Sequence, residues 1–144
     1  MSWFQSAALR SLELITRFSP DHSSPIIDVG AGASVLVDDL LAAGYTDLTV
    51  LDLSEAALAS SRQRLGNIAA RARWVEGNVL TAPLEAERYA VWHDRAVFHF
   101  LTEAEDRRAY VDQVRRSVRS GGHVLVATFA EDAPARCSGL PVVR

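Results

Sequence analysis

Three polar side chains stand at spacings that suit one pocket. Asp28 lies two residues before Gly30 in PIIDVGAGAS, Asp52 follows twenty residues past Gly32 in LTVLDLS, and Asn78 follows Gly77 in EGNVL. Glycine at 30 and 32 supplies the φ > 0 of a tight turn and lets a ligand approach the backbone. A carboxylate ending the neighbouring strand can accept both hydroxyls of a ribose. A lone Gly-x-Gly is often only a strand-to-helix connection. Turn, two carboxylates and an amide together point instead to a shared nucleotide-type pocket.

A second group of reactive side chains lies in WHDRAVFHFL: His93, Asp94, Arg95 and, five residues after Asp94, His99. Histidine and carboxylate can each take a proton from an attacking group. Strand alternation sends His93 and Asp94 to opposite faces, so one substrate does not meet both. Asp94 is the preferred site residue and His99 the next, as base or orienter, although a packed, hydrogen-bonded histidine between Phe98 and Phe100 is the favoured reading of His99. Arg95 reads as an ion-pair partner of Asp94 or Asp28, in preference to a binding residue for an acidic substrate. The spacing of His93, Asp94 and His99 matches no metal motif, and no metal is expected.

Alternating strand and helix signals must position these groups, which predicts an α/β fold with a parallel sheet. Leu9, Leu12, Ile15 and Phe18 form a helical stripe over Trp3–Phe18, ending before Pro20. Strands are expected over 25–29, 48–53, 73–76, 89–94 and 123–129, with helices over 33–43, 55–65 and 102–118. Ser54 reads as an N-cap and Gly66 as the stop of the helix between them. Thr102 with Glu105 reads as a capping box for the last helix, with Tyr110, Val111, Val114 and Val118 inward and Ser120-Gly121-Gly122 turning the chain after it. Arginines 107, 108, 115, 116 and 119 alternate with acidic residues, as on a solvated face laced with salt bridges. Beyond Ala130 the pattern resembles a loop and the start of an edge segment. Trp3 and Phe4 are placed either across the pocket or in the core.

With 144 residues, 49% hydrophobic and 23% charged, one globular domain over 1–144 is expected. A formal net charge of -3 argues against binding nucleic acid. All 15 basic residues are arginine, which excludes Schiff-base chemistry, a phosphate-binding Walker lysine and a Tyr-Lys dehydrogenase pair. A single cysteine, Cys137, excludes an internal disulfide and reads as a plain free thiol. No signal-peptide region or membrane-length apolar run is evident, so a cytoplasmic protein without membrane contact is expected.

Asp28-Val29-Gly30-Ala31-Gly32 resembles the acidic-x-Gly-x-Gly signature of the class I (Rossmann-like) S-adenosylmethionine-dependent methyltransferases. The resemblance covers nearly the whole chain, and WHDRAVFHFL is similar to a bacterial methyltransferase-domain subgroup. It implies a three-layer sandwich with a mostly parallel sheet of order 3-2-1-4-5. It also implies S-adenosyl-L-methionine as cofactor, with its methionine part wrapped by the loop from Asp28 to Gly32. Asp52 would hold the ribose, Leu53 would lie beside the adenine, and Asn78 with Val79 would meet the adenine edge. Asp94 would face methionine or substrate. Two departures are Asn78, where aspartate is usual, and Ser34, where many members carry a glycine; the Ser34 hydroxyl is expected to cap the following helix. A dinucleotide oxidoreductase would need a third glycine where Val35 stands.

The implied activity is methyl transfer to a small molecule or protein side chain. The alternative is a non-catalytic or degraded domain that only binds the cofactor. The sequence stops about fifteen residues after the fifth strand, so the family's C-terminal strand hairpin is expected to be missing. That reading makes the chain a truncated domain, or one that forms a homodimer through the exposed sheet edge.

Overall fold

The computed structural model describes residues 3–30, 34–95, 97–130 and 133–141, with side chains described over 9–30, 34–95, 97–98 and 100–126. Helix α1 (Trp3–Phe18) buries Ile15 completely and packs Leu12 and Phe18 on the same cluster. Leu9, expected in that stripe, is instead 44% exposed. Ser11 shares the buried face, as its position four residues before Ile15 requires.

Strand β1 (Ile26–Val29) is buried throughout. Helix α2 (Leu36–Ala42) follows; its N-cap is Val35, without a side-chain cap, and Ser34, expected to cap it, instead accepts the Leu36 N–H at 3.1 Å from one position earlier. Strand β2 (Leu48–Asp52) leads to α3 (Glu55–Leu65). Ser54 accepts the Ala57 N–H at 3.1 Å at its start, and Gly66 at φ 64 closes it. Strand β3 (Ala72–Glu76) and strand β4 (Tyr89–Arg95) come next, then a single turn, α4 (Val97–Phe100). Helix α5 (Ala104–Ser117), β5 (Val118–Ala130) and β6 (Ala133–Pro141) complete the described chain.

The sheet order is β3-β2-β1-β4-β5-β6. Strands β1 to β5 are mutually parallel, which gives the expected 3-2-1-4-5 order. Alternate residues of each strand serve opposite faces. Ile26, Val50, Val91 and Leu125 pack with α1, α2 and α3. Ile27, Leu51 and Trp92 pack with Tyr110 and Val114 of α5. The result is helix, sheet, helix.

Strand β6 corrects one expectation. Residues 133–141 do not form a loop but pair antiparallel with β5, from His123↔Pro141 to Ala130↔Ala133. Pro134 and Pro141 hide this strand from a pattern reading, yet an edge strand tolerates residues without an N–H. The flank of β5 is therefore covered, and the argument for dimerisation through it lapses. The expected turn at Ser120-Gly121-Gly122 is a bulge inside β5, marked by a register shift opposite Tyr89 and Val91.

Helix α5 departs in detail. It starts at Ala104 behind Glu103, and no side chain caps it, so the Thr102–Glu105 box does not form. Tyr110, Val114 and Val118 point inward as expected, whereas Val111 is exposed. Arg107 donates to Leu101 O at 2.6 Å and Arg116 to Leu84 O, so these two hold backbone rather than acidic neighbours.

Candidate functional site

The carboxyl ends of β1, β2 and β3 open onto a cavity of about 510 Å³, lined by Gly30, Asp52, Leu53, Asn78, Phe100 and Asp106 among others. The ends of parallel strands are where an open α/β sheet takes its ligand. Gly30 adopts φ 69 and its N–H donates to Leu51 O at 2.8 Å, which pins the turn to β2. A Cβ on Gly30 would overlap Val97 Cγ2. Glycine is thus required twice there, by conformation and by the close approach of α4.

Asp52 is half-buried, and its Oδ1 accepts the Ser54 N–H at 2.8 Å, which aims the carboxylate along the cavity wall. Leu53 is 73% exposed and Phe100 71% exposed, two large apolar side chains left on the rim. Asn78 is exposed, and its Oδ1 accepts the Leu80 N–H at 2.9 Å. That carbonyl oxygen keeps a second lone pair, and the amide N–H groups remain donors. Val79, also on the wall, is buried, and Gln113 of α5 holds its segment. The Gln113 amide donates to Val79 O at 2.9 Å and to Ala82 O at 2.8 Å.

Asp28 and Asp94 do not line this cavity. Asp94 is fully buried and accepts the Val97 N–H at 2.6 Å, the Phe98 N–H at 2.9 Å and the Tyr110 hydroxyl. Burial pushes its carboxyl above the ordinary range, against those hydrogen bonds. Burial and the Asp94 charge push the Tyr110 hydroxyl upward as well, so tyrosine is the donor. Trp92 Nε1 in turn donates to Tyr110 at 2.9 Å.

Asp28 lies on the other sheet face. Its Oδ1 meets His93 Nδ1 at 2.8 Å, and His93 Nε2 meets Ser11 Oγ at 2.8 Å. All three side chains are buried. His93 and Asp94 therefore do part to opposite faces. Arg95 is depressed by burial and raised by the Asp28 charge, so the favourable neighbour expected for it is Asp28.

The structure thus gathers Gly30, Asp52, Leu53, Asn78 and Val79 at one cavity. Ala31, Gly32 and the His99 side chain lie outside the described residues. The same is true of the Trp3, Phe4 and Cys137 side chains. Sequence reading missed Phe100, Asp106 and the Ser11–His93–Asp28 chain. Ser11 had a signal: a hydroxyl at helical spacing from Ile15 must find a buried partner. Among the described residues no group of three or more His, Cys, Asp or Glu could hold a metal ion.

Residues 26–122 match the family described as Methyltransferase domain. The chain belongs to the methyltransferase-domain family. Its fold recurs in the glycopeptide N-methyltransferase MtfA, at TM-score 0.72 and 25% identity, over 88% of this chain and 55% of that one. The same enzyme complexed with (S)-adenosyl-L-methionine aligns at TM-score 0.72 and 23% identity, over 95% of this chain and 67% of that chain. CalS10 from Micromonospora echinaspora, an amino pentose methyltransferase involved in calicheamicin biosynthesis, aligns at TM-score 0.71 and 24% identity, over 90% and 52% of the two chains. The methyltransferase-domain chain spans from 52% to 67% of the length of these proteins. No curated protein matches it in sequence.

Proposed function

We propose that the chain binds S-adenosyl-L-methionine in the cavity at the strand ends and transfers its methyl group to a small molecule or protein side chain. The observation that carries this is the donor set of one wall: the Asp52 carboxylate, exposed Leu53 beside it, and Asn78 at the next strand end. A carboxylate suits vicinal ribose hydroxyls, an apolar side chain the face of adenine, and an amide its polar edge. A cavity of about 510 Å³ is of the size that small-molecule sites take. Carboxylates at Asp52 and Asp106 disfavour a polyphosphate nucleotide and suit a cationic one. The residues present fit the cofactor.

Bound there, the cofactor supplies a sulfonium-activated methyl group, so the protein's task is alignment and exclusion of water. Gly30 and the loop to Gly32, with Ala31, would hold the methionine part, with Asp28 acting on the start of that loop. Asp52 would fix the ribose, and Leu53, Asn78 and Val79 the adenine. Asp94 acts through α4, whose first N–H groups it holds. His99, carried by α4, is the proposed base for an acceptor that must lose a proton. The acceptors in the names of the aligned enzymes, a glycopeptide and an amino pentose, fall in the proposed class.

The second reading, a domain that binds the cofactor without turnover, draws on Asp94, whose carboxylate is buried and engaged in hydrogen bonds. Incubation of the protein with methyl-labelled cofactor and a cell lysate separates the two. Label in a discrete acceptor supports the enzyme; label-free lysate with retained cofactor binding supports the second reading. Among the described residues no helix is long and apolar enough to cross a membrane. The proposal keeps one domain over 1–144, because every described strand joins one sheet and the composition is that of a globular protein.

A further inference from the structure

We propose that His93 is a positioning residue for the glycine turn, holding the Asp28 carboxylate in the orientation that cofactor binding requires, with Ser11 of α1 fixing the imidazole. The proposal rests on the cofactor reading above.

Asp28 and His93 are direct neighbours on adjacent parallel strands, paired Cα to Cα in the β1–β4 register. Asp28 is followed two residues later by Gly30, where the backbone turns at φ 69. Its side chain is 3% exposed, and Oδ1 is taken by His93 Nδ1 at 2.8 Å. Oδ2 is buried and accepts no hydrogen bond among the described residues. A buried carboxylate oxygen without a donor is costly, so it is kept where a donor arrives. The turn that would hold the cofactor's methionine part lies next to it in the chain.

The geometry also places a hydrogen on one ring nitrogen. A carboxylate only accepts, so His93 Nδ1 carries hydrogen toward Asp28. Nε2 pairs with the Ser11 hydroxyl at 2.8 Å, a group able both to donate and to accept. Ser11 thereby holds the ring in the orientation that turns Nδ1 toward Asp28. Among the described residues Oδ1, both ring nitrogens and the hydroxyl are paired and Oδ2 is not, so the carboxylate is held from one side. Arg95 adds a favourable charge near the same carboxylate. His93 is not among the described residues that line the cavity; it acts through Asp28.

Two substitutions divide the imidazole's two contacts. His93→Asn places an amide donor where Nδ1 was and drops the contact to Ser11. His93→Gln reaches toward Ser11 and drops the contact to Asp28. Each loses one buried hydrogen bond, so a merely structural role lowers the melting temperature in both and affects ligand affinity equally. The proposal expects calorimetric affinity for S-adenosylhomocysteine within about threefold of the unmutated chain in His93→Asn, and weaker by about tenfold or more in His93→Gln. Equal affinities in the two variants, or a greater loss in His93→Asn, overturn it.

A measurement on the unmutated chain guards against a variant that does not fold. In protein labelled with ¹⁵N-histidine, the His93 Nδ1–H resonance, assigned by its disappearance in His93→Asn, should shift on adding S-adenosylhomocysteine. An unmoved resonance at saturation contradicts the proposal. Failure of the unmutated chain to bind that ligand at all overturns the cofactor reading first, and is distinguished by its absence of heat.

Discussion

Tyr110 of α5 donates its hydroxyl to the carboxylate of Asp94 at the end of β4, the group that also holds the first N–H groups of α4. One buried side chain thus joins strand, turn and helix. Asp94→Ala would leave two backbone N–H groups and a phenol without their acceptor. We expect a loss of about 3 kcal/mol in denaturant unfolding. Asp94→Asn, which keeps one acceptor oxygen, should lose less.

The same pair sets a pH dependence. Burial and Asp94 raise the Tyr110 hydroxyl, so above the ordinary tyrosine range the unfolded chain has lost a proton that the folded chain keeps. Stability then falls as pH rises, by about 1.4 kcal/mol per pH unit for that one proton beyond pH ~10. Tyr110→Phe, less stable at neutral pH, should show a shallower alkaline decline. Equal slopes for the two proteins would remove Tyr110 from the explanation.

Much of this arrangement could be read from sequence, for reasons that differ by residue. Asp52 and Asn78 were legible because strand ends in a parallel sheet share one edge, and turn residues mark those ends. The opposite destinations of His93 and Asp94 followed from alternation alone. Partners far away in the chain were not legible: Ser11 meets His93 across the sheet, and Tyr110 meets Asp94 from a helix that begins after α4. Phe100 and Asp106 reach the cavity only because α4 and α5 fold back over it. Strand β6 escaped because its prolines and glycine argue against a strand, an objection that fails at a sheet edge.

Gly30→Ala tests the turn. The new methyl would be strained by φ 69 and would overlap Val97 Cγ2, so the turn or α4 must move. We expect a loss of about 2–4 kcal/mol and weakened cofactor binding, read by thermal melting and calorimetry. A stable Gly30→Ala protein with normal affinity would show that the turn is not held as described.

Gln113 tests the far wall. Gln113→Leu removes the donor shared by the Val79 and Ala82 carbonyls and leaves both without that bond. A loss of about 2 kcal/mol is expected, with weaker binding of any adenine-bearing ligand because Val79 lines the cavity. Intact affinity beside reduced stability would separate the wall from the ligand.

The central claim is that the wall carrying Asp52 holds S-adenosylmethionine. Isothermal calorimetry with S-adenosylmethionine tests it most directly, on the unmutated chain and on Asp52→Ala. We expect saturable heat at one site per chain, and affinity lower by about tenfold or more once the Asp52 carboxylate is removed. No heat from the unmutated chain, or equal affinity in Asp52→Ala, would contradict it.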